Sequence, residues 1–275
     1  MNRTARRISY IFLCTLPFID LAVAGVRALR IPGVHQAVGA FLFAVIVIAA
    51  WVLGARAIGS AAIERRLLAL AGALLIAPWA MISLLWVGVG APFQATAAEN
   101  HMRFLVLLAS VVVVASAFVA LKEELHEAGE RFYSTIGFAS SILAGTAYLV
   151  CISMSVANSI AVVTDKGSSL AGFLIGLYSV MEFVACVLTY ISTAAFAASL
   201  KQAGWLGRNA AFAFVASSGV LVLLLVMRGL SFPELSGNTA PWYTRPGLIA
   251  GIPAIPWIMP CLLGVILLRR AGEQP

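Results

Sequence analysis

From Leu170 to Leu200 the chain reads LAGFLIGLYSVMEFVACVLTYISTAAFAASL and carries one charge, Glu182, near its middle. A stretch that long crosses about 30 Å of hydrocarbon as a helix with residues to spare. Comparable apolar runs lie at about 8–26, 37–53, 67–89, 102–121, 134–163, 210–226 and 248–268. In hydrocarbon each backbone N–H and C=O must be bonded within the protein, and runs of this length select helices over the shorter strands of a barrel. The pattern predicts an all-α integral membrane protein: one polytopic domain over residues 1–275, a bundle of about eight transmembrane helices. Only 11% of the residues are charged and 62% are hydrophobic, whereas a soluble domain is roughly 25% charged. No soluble domain or long linker is evident.

The net charge of +7 does not point to nucleic acid. The basic residues stand in short clusters between apolar runs, with no basic face interleaved with aromatics. Such clusters orient membrane helices, Lys and Arg gathering on the cytoplasmic side. With eight spans, residues 3, 6, 7, 56, 65, 66, 122, 131, 201, 208, 269 and 270 fall on one side, and 27, 30, 103, 166, 228 and 245 on the other. Twelve against six predicts both termini in the cytoplasm. The leader MNRTARR and the small-residue step Ala22-Val23-Ala24 also fit a signal peptide, but an uncleaved first helix is favoured in a chain that is membrane-embedded throughout. Fifteen Arg against three Lys, with many Ala, suggest a GC-rich genome and hence a prokaryotic cytoplasmic membrane.

Several chemistries lack their residues. There is no Walker loop, no dinucleotide-binding glycine fingerprint and no GxSxG elbow. Lys122, Lys166 and Lys201 all lie in loops, so a Schiff-base pigment has no attachment point, and His35, His101 and His126 sit at span edges, away from the depth a haem ligand needs. Cys14, Cys151, Cys186 and Cys261 lie in apolar runs without a CxxC pair and read as packing residues. In Lys122 to Arg131, KEELHEAGER, the sequence His126-Glu127-Ala128-Gly129-Glu130 approaches the zinc motif HExxH but has Glu for the second His. That stretch reads as a solvated, charged helix extension. No metal or cofactor is expected.

What remains is polar chemistry inside the spans. Asp20 and Glu182 each lie about 12 residues into a span, entered from opposite sides, so both are about 18 Å deep. Two carboxylates there cannot both stay charged cheaply. They are expected to form or flank one midplane polar site, with separate protonation and bonding to backbone carbonyls as the alternative. Tyr178, Glu182 and Cys186 share a helix face. Counting equally from Asp165 sets Tyr148 level with Glu182, so Tyr148 is expected to face the sixth span and donate its hydroxyl to that carboxylate. On the fifth span Ser141, Gly145, Tyr148, Ser155 and Asn158 recur on one face, readable as close packing or as a solute pathway. Asp20, Glu182, Tyr148, Tyr178 and Asn158 are therefore the candidate ligand or proton site. Other hydroxyls within spans are expected to bond to their own helices. The last span, with Pro253, Pro256 and Pro260, is expected to be bent or broken.

Three functional classes fit, in this order. The first is a small-solute or proton-coupled transporter using the midplane carboxylates. The second is a non-catalytic membrane subunit or scaffold binding a partner protein, a lipid or a second copy of itself through small-residue faces. The third is an intramembrane enzyme on a lipid-soluble substrate, ranked last because no nucleophile or phosphate cradle accompanies the acids. The lipid bilayer is the one partner common to all three. No repeat aligns the first four spans with the last four, which counts against the first class.

Overall fold

The computed structural model describes residues 3–24, 33–89, 95–164, 171–230 and 255–273, and side chains throughout except at 20–24, 158–164, 171–176, 179, 228–230 and 255–256. Among the described residues every regular element is helical: α1 (Arg3–Ala24), α2 (Val34–Leu53), a 3-10 turn (Ala55–Gly59), α3 (Ile63–Gly88), α4 (Ala97–Glu127), α5 (Phe132–Thr164), α6 (Ala171–Gln202), α7 (Arg208–Leu230) and α8 (Ile255–Glu273). Six of them, α2 to α7, are long and apolar enough to cross a membrane. In the described ends of α1 and α8, charged residues (Arg3, Arg6 and Arg7; Arg269, Arg270 and Glu273) take up part of the length. The expected all-α bundle is present, with six helices of spanning length and composition among the described residues.

Successive helices α1 to α7 pack on their neighbours in order, with α5 and α6 forming the most extensive pair. Helix α8 then returns to lie against α3, and also touches α1, α2 and α6. It is the central helix: Trp257, Met259, Cys261, Leu263, Val265, Leu267, Leu268 and Ala271 are all buried. Over the described residues α8 runs as one helix through Pro260, so no break falls there; Pro253 lies outside the described residues. Close approach sets this packing. A Cβ added to Gly264 would stand 2.7 Å from the carbonyl oxygen of Gly72, and one on Gly72 would stand 2.9 Å from that of Gly264. Only glycine at both positions lets α3 and α8 meet backbone to backbone. Two glycines of α5 face different neighbours. Gly137 faces Phe196 of α6, and Gly145 faces Val111 of α4.

Helix ends follow local chemistry. Thr96 and Glu99 form a capping box at the start of α4: the Thr96 hydroxyl accepts from the Glu99 N–H (3.2 Å), and the Glu99 carboxylate from that of Thr96 (2.8 Å). This starts α4 ahead of the apolar run, so Arg103 lies in its second turn, fully buried. Its guanidinium donates to Asn100 Oδ1 (2.9 Å) and covers the Trp86 ring (4.8 Å to the centroid). At the other end of α4, Gly129 (φ +87°) closes the helix: its N–H donates to the His126 carbonyl, and Glu130 N–H to that of Leu125. Gly204 (φ +70°) ends α6 in the same way, with bonds to Lys201 and Leu200. Both are left-handed caps that a side chain would strain.

One end of the bundle gathers basic residues from distant parts of the sequence. Arg6 Nη2 donates to the Arg269 carbonyl (3.2 Å), Arg65 Nε donates to the Ala271 carbonyl (2.9 Å), and the Arg270 guanidinium lies 4.6 Å from the Trp205 ring centroid. The beginnings of α1 and α3, the α6–α7 turn and the end of α8 meet there.

Candidate functional site

Because α5 and α6 pair along most of their length, one face of each is withdrawn from lipid. That seam holds a large share of the buried polar side chains: Glu130, Ser134, Ser141, Glu182, Thr189, Ser192, Thr193 and Ser199. On α6 the positions 182, 186, 189 and 193 follow helical spacing, so Glu182, Cys186, Thr189 and Thr193 share a stripe.

Glu182 is 6% exposed, and Tyr148, Cys151 and Tyr178 lie within its electrostatic reach. Tyr148, 5% exposed, sets its hydroxyl 3.5 Å from Cys186 Sγ and its ring edge-on to Trp257 of α8, with centroids 6.0 Å apart. Tyr148 therefore faces α6, and the hydrogen-bond partner it has there is Cys186, one turn from Glu182. Cys151 Sγ donates to the Tyr178 carbonyl (3.7 Å). Tyr190, fully buried, has a hydroxyl with no hydrogen-bond partner among the described residues.

Below this cluster, toward the basic end, Ser141, Gly145, Tyr148, Thr189, Ser192 and Trp257 line a cavity of about 20 Å³. That is room for one water molecule. Most hydroxyls along the spans back-bond to their own helices, as Thr189 does to the Ala185 carbonyl and Thr193 to that of Thr189. Ser192 differs: it donates across the seam to the Gly137 carbonyl (2.7 Å). Next to it Phe196 stacks on Phe118 of α4, ring centroids 4.7 Å apart.

The seam ends at Glu130. Its carboxylate accepts from the N–H groups of Tyr133 (2.8 Å) and Ser134 (3.0 Å), and from the Ser199 hydroxyl. Burial pushes the Glu130 carboxyl up, but these three donors outweigh it and hold it below the ordinary carboxylate range. The reading of KEELHEAGER as a solvated extension is thus corrected in part. His126, Glu123 and Glu127 are exposed, but Glu124 and Glu130 are buried, because the run continues the α4 helix past the apolar stretch and turns back over the bundle. Among the described residues no three His, Cys, Asp or Glu side chains are placed to hold a metal.

Of the expected site, Glu182, Tyr148 and Tyr178 come together. The side chains of Asp20 and Asn158 lie outside the described residues. Helix α1, which carries Asp20, lies against α2, α3 and α8, and α6 lies against α5, α7 and α8. Cys151, Thr189, Ser192 and Trp257 complete the surroundings; their types gave no signal beyond helical spacing.

No family model matches the sequence, and neither curated proteins nor solved structures yield a match. Fold and composition define a multi-pass membrane protein embedded in a lipid bilayer.

Proposed function

We propose that the protein is a proton-coupled small-solute transporter in which Glu182 is the group that takes up and releases the proton. The observation that carries this reading is the placement of a carboxyl group at 6% exposure among Tyr148, Tyr178 and two cysteines, inside an apolar helix pair. A carboxyl group at membrane depth is costly and is a functional-site feature by default. The cavity beside Ser141, Thr189 and Ser192 and the buried Glu130–Ser199 pair extend polar groups from Glu182 toward the basic end. Hydroxyls can pass a proton along such a line, with one water in the cavity as a station. Tyr148, on turning its hydroxyl away from Cys186, and Tyr178 supply donors for the charged carboxylate during the half of the cycle in which it has lost its proton.

In this reading all eight helices span, and both termini face the cytoplasm of a prokaryotic cell, as the Lys/Arg asymmetry favours. The test is flux in proteoliposomes loaded with a pH-sensitive dye and challenged with a panel of small solutes. Solute-dependent proton movement in the wild type and its loss in Glu182→Gln is the expected result. Wild-type vesicles as tight as empty ones, or coupling unchanged in Glu182→Gln, would end the proposal.

A further inference from the structure

The polar seam leaves a second charged feature of the molecule unused. Where α1 begins and α8 ends, Arg3, Arg6, Arg7 and Arg269 surround a pocket of about 620 Å³, with Glu273 the single acid in its lining. Arg3, Arg6 and Arg7 stand at i, i+3 and i+4, so they project from one face of α1 at a spacing where like charges repel. Two of the four are fixed in place. Arg6 donates to the Arg269 carbonyl, and Arg269 donates from Nε to Glu273 Oε1 (2.9 Å) with its guanidinium over the Tyr10 ring (4.9 Å). Arg3 and Arg7 are exposed at the rim. The lining carries four positive charges and one negative, a net +3.

Orienting α1 by charge requires basic residues, but it does not require them to converge on a concave site. The planar guanidinium matches two oxygens of a phosphate group, and helix α1 adds the positive end of its dipole at the same place. The wall also has an apolar side: Leu53 and Ile11 line it, and Ile8 and Ile11 continue as exposed apolar surface down α1. We propose that this pocket binds the phosphate group of an anionic phospholipid, the headgroup held by Arg3, Arg6, Arg7 and Arg269 and the acyl chains lying along α1. Free phosphate or a soluble phosphate ester shares the headgroup's chemistry but makes no use of the apolar flank.

The experiment titrates phosphatidylglycerol into the full-length protein in phosphatidylcholine bicelles, reading bound lipid by native mass spectrometry and thermal midpoint in parallel. Sodium phosphate alone is titrated in a second arm. Phosphatidylglycerol should bind and raise the midpoint, and Arg3→Gln/Arg7→Gln should weaken it by about 25-fold, about fivefold for each charge removed. Both side chains are exposed, so the substitutions leave the bundle intact. The exposed pair Arg131→Gln/Arg208→Gln, outside the pocket, should leave binding unchanged, and Glu273→Gln should tighten it by about fivefold. A response to sodium phosphate of the same size, lost in the same pocket variant, assigns the site to a soluble phosphate. Equal weakening by the pocket and control pairs, weaker or unchanged binding in Glu273→Gln, or no preference for either anion over phosphatidylcholine would overturn the proposal.

Discussion

Glu130 ties the start of α5 to the end of α6, and its removal has a magnitude that can be worked out. Glu130→Ala leaves three donors without their acceptor: the N–H groups of Tyr133 and Ser134 and the hydroxyl of Ser199, which is fully buried. A hydrogen bond to a charged group contributes about 1.5–3 kcal/mol. The three share one carboxylate, and the half-exposed Tyr133 amide regains water, so the total is less than their sum. A loss of about 3–5 kcal/mol is expected for Glu130→Ala, and about 1–2 kcal/mol for Glu130→Gln, which keeps one acceptor oxygen. The pH dependence has a definite sign. The folded carboxyl lies below its ordinary range, so its contribution is complete above the unfolded pKa of about 4.3 and is lost as pH falls through the folded value. Denaturant unfolding in detergent, followed by circular dichroism between neutral and acid pH, measures both effects. The wild type should lose its advantage over Glu130→Gln only at the acid end. A difference between them that stays constant across that range, or a cost below about 1 kcal/mol for Glu130→Ala, would refute the reasoning. A double-mutant cycle with Ser199→Ala should return a coupling of about 1–2 kcal/mol.

Three further outcomes are expected. Gly264→Leu forces a side chain against the Gly72 carbonyl and should cost at least about 3 kcal/mol, read as a lowered thermal midpoint; an unchanged midpoint would mean that α3 and α8 are not in backbone contact. Tyr190→Phe removes a buried hydroxyl that has no described partner, so stability should hold or rise by up to about 1 kcal/mol, and a clear loss would reveal a bonded group at that hydroxyl. For orientation, a cysteine at Ala98 should react with an impermeant maleimide on intact cells, and one at Ala128 only after permeabilisation; the reverse pattern would invert the bundle.

The helices were legible in the sequence because the membrane imposes one requirement, a long apolar run, and little else satisfies it. Glu182 stood out for the complementary reason: a lone charge in such a run has few cheap placements. Residues that fix how helices meet were harder to see. Lipid and protein interior are equally apolar, so WIMPCLLGVILL in α8 reads the same whether it faces lipid or sits at the centre of the bundle. Gly72 and Gly264 belong to no small-xxx-small pair that would have drawn attention to their crossing. Glu130 resembled a failed zinc ligand, and its capping role depends on Gly129 turning the chain. The box Thr96-x-x-Glu99 was readable in principle, since a hydroxyl three residues before a carboxylate marks a helix start. The apolar run begins only near Met102, so the polar first turn carrying the box lies ahead of it.

The central position of α8 bears on how the chain is made. Synthesis runs from the amino terminus, so α1 to α7 are made before the helix that packs against α3, α1, α2 and α6. Until α8 arrives, the face of α3 around Gly72 lacks the helix that covers it. An assembly intermediate of seven helices with that face uncovered follows, vulnerable to membrane proteases and to pairing with the wrong segment. A chain stopped before Ile255 should therefore be degraded rather than accumulate, and α8 supplied as a separate peptide should rescue it.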